Sequence, residues 1–184
     1  GAAASPDLSL SELPLLLPAE RWQVLGEWND AARELPLEAG FVELFRRQVA
    51  RTPAAPAVGF RGEILTYADL DRRTDQLAHQ LAADHPVESV VAVLAERGTE
   101  LLTAMIALFK AGLVYLPLDP LHPPHRHAQV LRESRARSVL TAAELAPGAA
   151  EVTPAVTALP EPEPQRLAYV IFTSGSTGVP TGAM

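Results

Sequence analysis

The chain reads as an α/β protein built on an open, mostly parallel sheet with helices on both faces, and three observations lead there. Apolar runs without polar alternation recur at Ser89 to Leu94, Val114 to Leu118 and Leu167 to Phe172, the pattern of strands covered on both sides. Segments of helical period lie between strands, which makes them crossover connections. Helix stops sit where such a layout needs them, at Asp84-His85-Pro86 and at Gly112.

Taken in order, Glu20 to Trp28 predicts a short helix with Trp22, Leu25 and Trp28 on one stripe. That stripe can pack on the chain's own body or dock a neighbouring domain. Phe41, Leu44, Phe45 and Val49 repeat at helical spacing, and Thr52-Pro53 ends the helix. Pro56 to Phe60 and Glu63 to Leu65 flank Arg61-Gly62, a hairpin signal. Thr66, with Asp69 three residues on, predicts a capping box, and Leu70, Leu77 and Leu81 mark the buried face of the helix it opens. Thr99 to Lys110 is apolar nearly all round, hence a buried helix. Pro123-Pro124 predicts entry into the next helix at its first turn, followed by a strand at Ser138 to Leu140. Ala146 to Gln165 is proline-rich and aperiodic, a surface crossing. Leu167 to Phe172 is then the final strand.

Composition narrows the function classes. The 184 residues are 48% hydrophobic and 20% charged, with a net charge of −7 and no basic block, so no nucleic-acid partner is expected. With no cysteine, neither disulfides nor thiolate metal sites can form. No signal peptide or membrane span is read, and a cytoplasmic location is expected. His122, His125 and His127 form a cluster, but no carboxylate or cysteine shares the spacing of a zinc site, so no metal site is predicted.

The strongest chemical signal follows the last predicted strand. Thr173-Ser-Gly-Ser-Thr-Gly-Val-Pro-Thr-Gly182 combines glycines, which let successive N–H groups converge on an anion, with the compact hydroxyl donors of Thr173, Ser174, Ser176 and Thr177. A Walker loop is excluded, because the fifth residue after Gly175 is Pro180 rather than glycine. The hydrolase elbow is excluded, because Ser174 stands two before Ser176 where glycine is required. A phosphate cradle and a polar linker both remain open on these residues alone.

The stretch Leu167-Ala-Tyr-Val-Ile-Phe-Thr-Ser-Gly-Ser-Thr-Gly-Val-Pro-Thr-Gly182 resembles the phosphate-loop motif of adenylate-forming enzymes, and most of all that of nonribosomal peptide synthetase adenylation domains. Leu65-Thr-Tyr-Ala-Asp-Leu70 and Leu108-Phe-Lys-Ala-Gly-Leu-Val-Tyr-Leu-Pro-Leu-Asp119 resemble the first two core motifs of that family, in the right order. Leu13-Pro-Leu-Leu-Leu-Pro-Ala-Glu-Arg21 and Glu27-Trp28-Asn29 resemble the linker that follows a condensation domain. The resemblance therefore implies a linker over residues 1–39 and the N-terminal portion of an adenylation domain, an incomplete part of its large lobe, over residues 40–184.

In that family an amino acid and ATP give an aminoacyl adenylate and pyrophosphate, and the acyl group passes to a carrier-protein phosphopantetheine thiol. The resemblance thus implies ATP and magnesium, with Thr173, Ser174, Gly175, Ser176, Thr177, Gly178, Thr181 and Gly182 around the phosphates. It assigns no catalytic or metal-binding residue to this chain. It implies neighbouring condensation and carrier domains, and the remaining adenylation lobe, as partners. Thr181 stands where the family has lysine, which exchanges a charge-assisted contact for a neutral one of roughly half the strength. The substrate pocket, ribose-binding acid, later magnesium ligand and C-terminal lobe have no counterpart. The expectation is a domain truncated just after the phosphate loop, inactive alone and without tight ATP binding. Two alternatives are a degenerate adenylation-like platform and half of a split enzyme. An acyl-CoA ligase fragment is a third, opposed by the linker.

Overall fold

A computed structural model describes residues 9, 16–32, 39–145, 158–174 and 180–184. The chain forms two units, Gly1–Pro36 and Leu37–Met184.

In the first unit, α1 (Pro18–Leu25) begins with proline at its first turn, where no N–H is needed. The Glu20 carboxylate accepts the Leu17 N–H at 2.7 Å. One helix was expected over residues 20–28. Instead α1 stops at Gly26, and a separate 3-10 turn covers Glu27–Asn29. A Cβ at Gly26 would lie 2.9 Å from the Trp22 carbonyl, so glycine permits the tight ending. Trp22, Leu25 and Trp28 are exposed, and no described residue of their own unit covers them.

The second unit opens with α2 (Phe41–Arg51) and a hairpin of β1 (Pro56–Phe60) and β2 (Glu63–Thr66). Arg61 and Gly62 both take positive φ, 48° and 89°, which is the turn geometry that matches strand twist. In α3 (Tyr67–Asp84) the Thr66 hydroxyl accepts the Asp69 N–H at 3.1 Å and donates to the Asp69 carboxylate at 2.7 Å. The fully buried stripe of α3 is Leu70, Thr74, Ala78 and Leu81, with Leu77 packed beside it.

The central sheet has order β4-β3-β5, all parallel: β3 (Val90–Leu94), β4 (Val114–Leu118) and β5 (Ser138–Thr141). Ala92 is in register with both Leu116 and Val139. Alternation along β3 sends Val91 and Val93 toward α3 and α4 (Thr99–Lys110), while Ala92 meets Val130 of α5 (Pro124–Ser134). Helices therefore cover both faces. The four-residue α6 (Ala142–Leu145) follows β5. At the end of α4, Gly112 adopts φ 68°, the left-handed stop predicted for it.

The expected last strand, Leu167 to Phe172, divides in two. Its first part runs parallel to β4: the Tyr115 N–H donates to Ala168 O at 2.9 Å, and the Val170 N–H donates to Tyr115 O at 3.0 Å. Its second part becomes β6 (Ile171–Ser174), which pairs antiparallel with a strand the sequence did not predict, β7 (Pro180–Ala183). Pro180 and Gly182 read as strand breakers, yet proline is tolerated at the first position of an edge strand.

The residue that ties the helical layer together is Lys110, whose side chain is wholly buried. Its ammonium donates to Asp71 Oδ1 at 2.6 Å, Asp75 Oδ1 at 2.7 Å and Asp71 O at 3.2 Å. It also lies 5.2 Å from the Phe45 ring centroid on α2. All three ammonium protons are thereby accounted for.

Two expectations follow for stability. Asp71→Ala leaves a buried ammonium short of partners and should cost about 2–4 kcal/mol, near the low end for a broken buried pair because Asp75 remains. Lys110→Met removes the charge and leaves carboxylates that are 28% and 44% exposed, so its cost should be no more than about 1 kcal/mol. Denaturant unfolding of both variants measures the difference, and equal losses would overturn the ranking. Asp69 titrates below its usual 3.8, held there first by the Thr66 hydroxyl and then by Arg72. Its folded-state value is the lower one, so its stabilisation is complete above 3.8 and is lost as pH falls through the folded value. The difference in melting temperature between wild type and Asp69→Asn should therefore shrink on acidification below that point.

Candidate functional site

The site begins where the chain leaves the side of β4. Residues 168–170 run in the direction of β4, so β6 carries the chain on toward the carboxyl ends of β3 and β4. Open α/β sheets bind ligands at that edge. In the β6–β7 hairpin, Phe172 is in register with Gly182, Thr173 with Thr181 and Ser174 with Pro180. Thr173 and Thr181 are exposed, and the Thr173 hydroxyl donates to Thr181 O at 3.5 Å, a long contact that leaves it available to another acceptor. Of the residues predicted from sequence, Thr173, Ser174, Thr181 and Gly182 are thus brought together. Gly175, Ser176, Thr177 and Gly178 lie outside the described residues.

Packing around Gly182 is tight. A Cβ there would sit 3.1 Å from Val170 Cγ1 and 3.2 Å from the Phe172 ring. Glycine lets the ring lie across the partner strand and close the base of the hairpin.

A cleft of about 560 Å³ opens at the carboxyl ends of β3 and β4, a volume within the range of small-molecule sites. Val93, Leu101 and Leu118 supply apolar wall, and Glu96, Arg97 and Asp119 supply charge. Tyr115 also lines it, and burial raises its phenol above the usual 10.0, so the group is a neutral donor at pH 7. The apolar run Val114 to Leu118 predicts a covered strand and no cleft. A usable signal was present: Glu96-Arg97 and Asp119 are the first charged residues after two apolar strands. A smaller depression of about 120 Å³, among Phe41, Phe109, Gly112 and Leu167, lies near the amino end of β4. Its Arg166 and Glu163 are engaged with each other at 3.2 Å.

Among the described residues, no group of three histidine, cysteine or carboxylate side chains is placed to hold a metal ion. His127 of the histidine cluster donates instead to the Asp119 carbonyl at 2.8 Å. No described helix is long and apolar enough to cross a membrane.

A parallel sheet layered by helices, with a hydroxyl-rich hairpin at its carboxyl edge, defines the class: the chain belongs to the AMP-binding enzymes, whose family model matches residues 45–184. Its curated relatives include peptide synthetases. It is 41% identical over 196 residues to a linear gramicidin synthase of Brevibacillus parabrevis, covering 96% of this chain and 4% of that protein. It is 41% identical to phosphinothricin tripeptide synthetase PhsB of Streptomyces viridochromogenes, covering 97% of this chain and 17% of the relative. The chain therefore spans a small part of the curated relatives it matches. The solved N-terminal subdomain of Klebsiella oxytoca NpsA, in complex with 3-hydroxyanthranilyl-AMSN, superposes with a TM-score of 0.68 at 27% identity. That likeness covers 78% of this chain and 39% of the solved one, so the α/β body is part of an adenylation-domain large lobe. An artificially fused adenylation–PCP di-domain from the same organism gives a TM-score of 0.67 at 26% identity, covering 77% of this chain and 31% of the fusion.

The packing at Gly182 carries an expectation. Gly182→Val should displace the Phe172 ring and cost about 1–3 kcal/mol of hairpin stability, the usual range for overpacking. Nuclear Overhauser contacts between positions 172 and 182, with amide exchange across β6 and β7, measure it. An unmoved ring with unchanged exchange would overturn it.

Proposed function

We propose that the chain contributes the phosphate-binding hairpin of an amino-acid-activating synthetase module. The observation that carries this reading is the register of Thr173 against Thr181 at the carboxyl edge of the sheet. Two hydroxyls there flank a Gly- and Ser-rich connection that can turn N–H groups toward an anion. In this reading Thr173, Ser174, Gly175, Ser176, Thr177, Gly178, Thr181 and Gly182 hold the β- and γ-phosphates of ATP. A carboxylate oxygen of the amino acid attacks the α-phosphorus, the bond to the β-phosphate oxygen breaks, and pyrophosphate leaves with the electron pair. Holding the phosphates in line lowers the barrier chiefly by orientation and charge neutralisation. Magnesium enters with the nucleotide. No cluster among the described residues fits it as a resident ion. Residues 1–39 join this body to a condensation domain, and a carrier domain takes the acyl group.

Thr181 favours a second reading, an adenylation-like platform within a synthetase, because it brings no positive charge to the phosphates. Thr181→Lys separates the two. A buried charge-assisted contact would strengthen ATP binding about tenfold to a hundredfold. Thr181 is exposed, so a gain of no more than about fivefold is expected, with a decline as salt rises. Calorimetric titration of ATP and AMP into both proteins measures it. A gain for ATP larger than for AMP supports the phosphate hairpin, and equal or absent responses favour the platform.

A further inference from the structure

The turn between β4 and α5 forms one rim of the carboxyl-edge cleft through Asp119, Pro120 and Leu121. Pro120, Pro123 and Pro124 have no N–H, so beyond Asp119 itself only the amides of Leu121 and His122 can tie the turn down. Both end on Asp119. The Leu121 N–H donates to Asp119 Oδ1 at 2.9 Å, and the His122 N–H donates to Asp119 O at 3.0 Å. The same carbonyl accepts a further hydrogen bond, from His127 Nε2 at 2.8 Å. A carbonyl has two lone pairs, so Asp119 O is fully used by these two donors.

His127 sits in the first turns of α5, eight residues beyond Asp119, and is half-buried. Among the described residues it is the one side chain of α5 hydrogen-bonded to the end of β4. The carbonyl acceptor requires the proton on Nε2, which fixes the neutral tautomer and leaves Nδ1 bare. The imidazolium carries the same Nε2–H, so the contact survives protonation. The His122 ring lies edge-on at 6.5 Å and makes no such bond to the turn.

We propose that His127 is a positioning residue for the carboxyl-edge cleft: its Nε2–H holds the Asp119 carbonyl and so keeps Asp119, Pro120 and Leu121 in the rim. His127 does not line the cleft and acts only through Asp119. The importance of that rim for amino-acid activation rests on the function proposed above; the geometric role does not.

The test uses amide hydrogen exchange on the full chain by nuclear magnetic resonance, with no ligand added. His127→Leu should speed exchange at Leu121 and His122 by about threefold to tenfold, the worth of one lost hydrogen bond, and leave β3 and α4 unchanged. His127→Gln, whose amide nitrogen can replace Nε2, should restore slow exchange. His125→Leu, at an exposed neighbouring position, should have no effect. Nitrogen shifts of wild-type His127 should report the Nε2–H tautomer, a reading that needs no variant to fold. The proposal is overturned by the Nδ1–H tautomer, by unchanged exchange in His127→Leu, by a uniform rise across the whole chain, or by failure of glutamine to rescue. Because no nucleotide is involved, equal or absent ATP and AMP responses to Thr181→Lys would turn the functional reading toward the platform and leave this test standing.

Discussion

A single buried ammonium constrains the helical layer of this protein. Lys110 closes a largely apolar helix, and its charge has no access to water. An unpaired charge at such a depth is not tolerated, so folding must bring α3 alongside in the one register that places Asp71 and Asp75 at its tip. Phe45 then stacks α2 onto the same group. Such a pair adds little net stability over an apolar replacement, because desolvation offsets the attraction. What it contributes is alignment of α2, α3 and α4, and α3 and α4 form one wall against β3.

That alignment reaches the candidate site through β4. Tyr115 belongs to the scaffold by its backbone, which pairs with residues 168–170, and to the carboxyl-edge cleft by its ring. The pairing sends β6 along the sheet toward its carboxyl edge. Phe172 lies across Gly182 and sets the hairpin register that opposes Thr173 and Thr181. Thr173 and Thr181 are exposed, and their positions are inherited from more deeply packed neighbours.

Much of this was legible in the sequence where an interaction spans only a few residues. The Thr66–Asp69 cap, the Arg61-Gly62 turn, the Gly112 stop and the entry of α5 at Pro124 all appear where local rules put them. The single short helix expected over residues 20–28 failed for a local reason too, since Gly26 lets the chain close on Trp22 O. The β7 strand was hidden because Pro180 and Gly182 have poor strand propensity, and only the partner strand makes their backbone extend.

The sequence by itself determined the fold class, the helix caps and stops, and the motif identity. Periodicity and caps are set by contacts within a turn or two of the chain, and a residue pattern can carry them directly. Tertiary structure alone decided which surfaces meet. Lys110 reads as an ordinary last-turn cation until the carboxylates 39 and 35 residues away arrive beside it. The cleft likewise exists only when β3 and β4 lie in register and bring Arg97 and Asp119 to one edge. A hydrophobic period states that a face must be covered, but the covering neighbour is chosen by long-range packing, which no local pattern encodes.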